Sequence, residues 1–175
     1  MNGKTYEREL KLILAGDRKY ITNYIKKLNF EEIEGYMSLI EHPFLVMRAA
    51  GSFGIDLIAL RYDYSFPIEV KASINRILRF TESSNHSQKQ AMEHIKMTTR
   101  SGLFPLYGYR LKRVEGDPWK IFTLPDIETH GNLLRIYSMI PKAEISKEGN
   151  YILRWDDGLK LSSFLRYING IKKSH

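Results

Sequence analysis

Two apolar segments with charges at fixed places constrain this chain more than any other feature. Ile55-Asp56-Leu57-Ile58-Ala59-Leu60 and Pro67-Ile68-Glu69-Val70-Lys71-Ala72-Ser73 both read as strands, and only Arg61 to Phe66 separates them. So short a connection predicts an antiparallel hairpin. Side chains alternate across a strand, so Glu69 and Lys71 share one face and Ile68 and Val70 the other. Asp56 enters its strand directly after the turn-rich Ala50-Gly51-Ser52-Phe53-Gly54. The hairpin would let Asp56 and Glu69 meet on adjacent strands. Two carboxylates that close repel each other unless a cation lies between them. The plain alternative is that Asp56 caps a loop end and that Glu69-Val70-Lys71 is a solvated edge pair.

The elements around the hairpin follow from periodicity. Tyr6, Leu10, Ile13, Ile21, Tyr24 and Leu28 recur at three- and four-residue steps, predicting helix from Tyr6 to about Leu28. Ala15-Gly16-Asp17 can divide it, since Gly weakens a helix and Asp caps a new one. Glu31 to Glu41 predicts a short helix ended by His42-Pro43. Phe44 to Ala49 reads as a buried strand. Asn75 to Ser87 is polar and reads as a loop. Gln88 to Arg100 predicts a helix stopped by Ser101-Gly102, with Ala91, Met92, Ile95 and Thr99 on its apolar side and Lys89, Lys96 and Arg100 together on another. Leu103–Leu111, Trp119–Leu124, Leu133–Ile140 and Tyr151–Trp155 read as strands. Asp156 or Asp157 would cap a last helix carrying Leu161, Phe164, Leu165 and Ile168, which Asn169-Gly170 ends. The order is helix, three strands, helix, strand and then additions: one α/β domain with a mixed sheet.

Composition excludes several classes. With no cysteine among 175 residues there is no disulfide scaffold, thiolate zinc site or Cys nucleophile. No apolar run suggests a signal peptide or a bilayer span, so a soluble, cytoplasmic location without membrane contact is expected. There is no Walker loop, G-x-G-x-x-G or G-x-S-x-G. The five histidines show no metal-binding spacing and read as ordinary core or surface residues. The net charge of +7 is concentrated: residues 67 to 113 hold nine basic and three acidic residues, whereas 31 to 43 hold four Glu and no Lys or Arg. A clustered excess suits a polyanion, because each neutralised phosphate releases a counterion. Tyr62, Tyr64 and Phe66 crowd the hairpin turn, where they would plug a sheet edge or a subunit contact.

Asp56, Glu69 and one helical acid make three carboxylates, which with Lys71 suit a hard divalent cation and a phosphodiester. Glu7 and Glu9 both flank the apolar stripe of the first helix, and periodicity does not choose between them. The Asp…Glu-X-Lys pattern resembles the PD-(D/E)XK nuclease superfamily, with its restriction-endonuclease-like α-β-β-β-α-β core. More of the chain is similar to one branch, the archaeal Holliday junction resolvases. The matching motifs are Glu7-Arg8 in the first helix, Arg48-Ala49-Ala50-Gly51-Ser52, Asp56, Ile68-Glu69-Val70-Lys71-Ala72-Ser73, Gln90-Ala91, Leu106-Tyr107-Gly108-Tyr109 and Trp119-Lys120-Ile121-Phe122.

The resemblance implies that Glu7 is the helical acid, so that Glu7, Asp56 and Glu69 would be metal ligands and, with Ser52 and Lys71, the catalytic set. Mg²⁺ would be the cofactor, with Mn²⁺ as a substitute. Arg48, Lys89, Gln90, Lys96 and Arg100 would meet DNA, joined by the polar 75–87 loop. The partner would be a branched four-way junction, nicked at two opposed strands by a homodimer. A general flap, duplex or viral-DNA nuclease and a non-catalytic DNA-binding relative are the alternatives. Between Glu7 and Arg48 the chain is longer than the family pattern, an insertion around 18–43 in a single nuclease domain spanning 1–175. Its acidic part is expected to face away from DNA.

Overall fold

A computed structural model describes residues 3–49, 54–81 and 87–170. Helix α1 (Gly3–Leu14) lays Tyr6, Leu10, Ile13 and Leu14 into the core. It stops at Gly16, which has φ +69° and where a Cβ would lie 2.4 Å from the Leu39 carbonyl oxygen, so a side chain is excluded there. Asp17 then caps α2 (Arg18–Tyr24), accepting from the Tyr20 amide at 2.8 Å. A short 3₁₀ turn (Ile25–Lys27) leads to α3 (Phe30–Glu41), which opens on a reciprocal capping box between Asn29 and Glu32. The break and both helices are where the sequence puts them.

Six strands form the main sheet in the order β1-β2-β3-β5-β6-β9. They are β1 (Leu45–Arg48), β2 (Leu57–Leu60), β3 (Ser65–Ser73), β5 (Leu106–Leu111), β6 (Trp119–Phe122) and β9 (Leu159–Lys160). The β2–β3 hairpin is antiparallel as expected, with Leu57 opposite Ile68. Its turn is held by Arg61, which binds Asp63, the His42 carbonyl and Asn169 and lies 4.2 Å over the Phe44 ring. Strands β3 and β5 are parallel, with Glu69 opposite Tyr107, and α4 (Ser87–Thr99) makes the crossover. The result is a mixed α/β sheet flanked by helices. A second, three-stranded sheet of β4 (Ile77–Arg79), β8 (Tyr151–Arg154) and β7 (Glu144–Ile145) stands beside it. Helix α5 (Gly131–Met139) and α6 (Leu161–Gly170) complete the fold.

Several expectations are corrected. Strand β1 is an edge, not a buried strand: only Val46 is enclosed, and Leu45 is 65 % exposed. The segment after β3 is not simply a loop, because Ile77–Arg79 finds an antiparallel partner 75 residues later in sequence at Ile152–Arg154. Residues 133–139 are helical, and Ile140 is the C-cap. Leu133, Ile136, Tyr137 and Ile140 have the three-and-four spacing of a helix face, which β-branched content disguised. Asp156 and Asp157 lie in a 3₁₀ turn, and α6 begins at Leu161, where Asp117 accepts from the Ser162 amide at 3.0 Å. The cap comes from 45 residues away in sequence, beyond the reach of local pattern. Tyr64 and Phe66 are core residues and Tyr62 is 87 % exposed, so the three do not form one surface. On α4 the buried stripe is Ala91, His94 and Thr98, whereas Met92 and Thr99 are exposed.

Helix α3 crosses α6 with Gly35 against the Ser162 backbone. Its acids are partly structural: Glu32 is buried and binds Lys160 at 2.8 Å, and Glu34 pairs with Arg166 at 2.9 Å. No described helix is long and apolar enough to cross a membrane.

Candidate active site

The hairpin brings Asp56 and Glu69 together. Asp56 sits just before β2, and its Oδ2 accepts from the Val70 amide at 2.8 Å. Its own amide donates to the Ile68 carbonyl at 3.1 Å, so both ends of the residue are tied to β3. Glu69 is 4 % exposed. Its Oε1 accepts from Lys71 Nζ at 2.7 Å and from Gln90 Nε2 at 3.3 Å. Its Oε2 is buried and has no hydrogen-bond partner among the described residues.

The electrostatics follow from that enclosure. Burial raises the Glu69 pKa to about 7 against the opposing pull of Lys71, and the Asp56 charge pushes it further up. Asp56 is raised too, first by burial, with the Val70 amide opposing and Glu7 adding to the rise. Without a cation, a proton on Glu69 can bridge to Asp56. When both groups are ionised neither can donate, and Glu69 Oε2 is left orphaned. Burying an unpaired charge costs several kcal/mol, roughly, unless a metal or a proton compensates it.

Gln90 also donates to the Gly54 carbonyl at 2.7 Å, linking α4 to the turn that delivers Asp56. Gly54 has φ +69°, and a Cβ there would lie 2.4 Å from Gln90 Nε2. One helical turn on, the buried His94 contacts the same carbonyl through Nε2 at 3.0 Å and the Tyr107 hydroxyl through Nδ1 at 2.8 Å. The carbonyl requires a donor, so Nε2 carries the hydrogen and Tyr107 donates to Nδ1. Phe80 stands under the Lys71 ammonium at 5.9 Å and against Tyr107. His94, Tyr107 and Phe80 are site supports that sequence reasoning missed. The available signal was spacing: His94 is four residues after Gln90, on the same helix face.

The two first-helix acids separate by geometry. Glu9 Oε1 accepts from Arg110 Nε at 2.7 Å and from Trp119 Nε1 at 2.8 Å, a packing role. Glu7 pairs with Arg48 at 2.5 Å and lies in electrostatic reach of Asp56. Among the described residues no three His, Cys, Asp or Glu side chains are gathered as a ready metal cage. The close acid pair is Asp56 with Glu69, and Glu7 is held by its Arg. Lys89 and Lys96 lie exposed on α4, and Arg100 lies exposed in the turn that follows it. Ser52 falls outside the described residues.

No family model matches this chain, and no curated protein matches it. Among solved structures it is similar to the Archaeoglobus fulgidus Hjc, a Holliday junction resolvase from an archaeal hyperthermophile. The identity is 17 %, the match covers 75 % of this chain and 86 % of that one, and the TM-score is 0.47.

Proposed function

We propose that this chain is a divalent-cation-dependent endodeoxyribonuclease acting on branched DNA, with the four-way junction as substrate and paired symmetric nicks as product. One observation carries the reading: a half-buried Asp56 set against the buried Glu69, whose Oε2 has no hydrogen-bond partner among the described residues and whose Oε1 takes a lysine at 2.7 Å. A binding module has no use for buried acids that repel phosphate. The order of motifs from Glu7 to Trp119 supplies the substrate class.

Asp56 and Glu69 are the residues that would hold the cation, with Glu7 as a third. An all-oxygen donor set suits Mg²⁺, and Mn²⁺ should substitute. When bound, the cation supplies Lewis-acid stabilisation of charge developing on the phosphodiester. The protein's own groups do the rest. The Val70 amide fixes the Asp56 carboxylate, and Gln90 and Lys71 fix Glu69. Lys71 also places a positive charge where the attacked phosphate gains negative charge. Arg48, half exposed beside Glu7, can meet a flanking phosphate. Exposed Lys89 and Lys96 extend the basic surface along α4, and Arg100 continues it just past the helix end. Paired cuts across a symmetric junction need two related sites, hence a homodimer.

The test is cleavage of an end-labelled four-way junction beside linear duplex of the same arms, in Mg²⁺, Mn²⁺ and EDTA. Paired nicks in the junction alone, lost in EDTA and in Asp56→Asn while binding persists, are the expected result. Equal cutting of duplex would remove the junction preference. Tight binding without cutting in any divalent ion would overturn the catalytic reading.

A further inference from the structure

The inserted segment builds a groove for which the active site has no use. One end is lined by Arg8, Asp17, Lys19 and Tyr20, the other by Lys27, Arg110, Arg113 and Glu9, and both share Asn23 and Tyr24 as walls. Five cationic side chains thus face two carboxylates. Both carboxylates are occupied, since Asp17 caps α2 and Glu9 holds Arg110 and Trp119. Arg8, Lys19, Lys27 and Arg113 are exposed and make no salt bridge among the described residues, although Glu115 lies near in sequence. The walls are aromatic: the Tyr20 and Tyr24 rings stack at 6.1 Å.

Arg113 adds a second, independent sign. Its φ is +60°, a left-handed conformation that Gly or Asn adopts at less cost. A large cation held in such a turn points to a use for its charge.

Helix α1 links the groove to the active site, since it lends Arg8 and Glu9 to the one and Glu7 to the other. Arg110 and Lys112 lie over the Tyr6 ring at 4.6 and 5.5 Å, and the next residue is Glu7, paired with Arg48. Arg110 alternates with Tyr107 and Tyr109 along β5, so the groove and the Glu69–Lys71 site occupy opposite faces of the sheet. A straight duplex lying in the site would not follow that corner. The arms of a branched DNA diverge, and one of them can.

We propose that this groove binds the sugar–phosphate backbone of a second duplex arm of a branched DNA whose scissile arm lies at Asp56 and Glu69. The assignment rests on the nuclease reading and adds a chain-specific origin for branch selectivity: the residues between α1 and α3 supply Lys19 and Lys27. Phosphate contacts of this kind position an arm without reading its sequence.

The test uses Lys19→Glu/Lys27→Glu/Arg113→Asp, with Asp chosen because it tolerates the left-handed turn. Binding of a fluorescent four-way junction and of a linear duplex is measured by anisotropy in EDTA over a salt series. Junction affinity should fall roughly tenfold or more, and its log–log salt slope should become shallower by about 2 to 3, one unit per lost phosphate contact. Linear duplex affinity should stay within about twofold, because its contacts are at the active site. The neutral variant Lys19→Gln/Lys27→Gln/Arg113→Asn, which leaves the buried contacts untouched, should show a smaller loss of the same selectivity. Unchanged junction binding, or an equal loss for junction and duplex, would overturn the groove assignment. Junction cleavage by the wild type in Mg²⁺, run in parallel, separates the two ideas: a protein that binds junctions but never cuts them sinks the nuclease reading and leaves the groove intact.

Discussion

Replacing Glu69 by Gln should stabilise the metal-free protein at alkaline pH, although it removes an ion pair. Glu69 has a folded pKa of about 7 against an ordinary value of 4.5. The folded state therefore keeps a proton that the unfolded state releases. Its contribution to stability is full below pH 4.5, declines as pH rises towards 7 and is absent above. The size is about 2.5 pKa units at about 1.4 kcal/mol each, or about 3 kcal/mol. The attraction of Lys71 is already inside that value, so it is not subtracted again. Glutamine resembles the protonated acid and can still accept from Lys71 and Gln90. Glu69→Gln should thus match wild type near pH 4.5 and exceed it by about 2 to 3 kcal/mol at pH 8 in EDTA. For a chain this long that is roughly 5–10 °C in Tm. Thermal melts of both proteins across that range read the difference directly. Saturating Mg²⁺ should raise the wild-type Tm by mass action and leave the variant unmoved. A variant that is less stable than wild type by the same amount at both pH values would refute the reasoning, because Glu69 would then be comfortable as an anion without a cation.

Three further substitutions probe what holds the site in place. Asp117→Ala strips acceptors from Tyr36, the Trp119 amide and the Ser162 amide at once, and should cost about 3–5 kcal/mol in urea unfolding with an unchanged m-value. Gly35→Ala puts a methyl 2.2 Å from the Ser162 carbonyl oxygen, so α3 must move off α6, at about 1–3 kcal/mol, with junction cleavage retained. His94→Ala leaves the Gly54 carbonyl held by Gln90 alone and takes the acceptor from the Tyr107 hydroxyl. It should weaken divalent-cation binding, read as a higher Mg²⁺ midpoint for cleavage, while DNA affinity in EDTA stays constant.

Local pattern carried the parts of the fold that depend on local physics. The Gly16-Asp17 break and the β2–β3 hairpin each use residues within a few positions of one another, apart from the strand pairing the short turn enforces. What escaped needed a distant partner. Ile77–Arg79 is a strand only because β8 is there to receive it. The start of α6 depends on Asp117, which no window around Leu161 contains. Residues 133–140 failed for another reason: a short apolar run fits a buried strand as well as a helix face, and its Ile and Tyr residues tipped the reading towards strand.

At the site, the legible part was the backbone alternation that puts Glu69 and Lys71 on one face and the turn that sets Asp56 against them. Sequence spacing alone could not divide Glu7 from Glu9, because both flank the same stripe. Their partners divide them. Arg110 and Trp119 come from β5 and β6 and take Glu9 into the packing between α1 and the sheet. Arg48 comes from the edge strand β1 and holds Glu7 beside Asp56. The same strand alternation that sends Arg110 to Glu9 sends Tyr107 to His94 on the other face. A single strand therefore braces the first helix on one side and the Asp56 turn on the other. That shared strand explains how the acid pair can remain strained without loosening the fold. The strain is confined to groups whose neighbours on both faces of the sheet are fixed by hydrogen bonds. Relief by a proton or a cation then costs little movement, as a preorganised site requires.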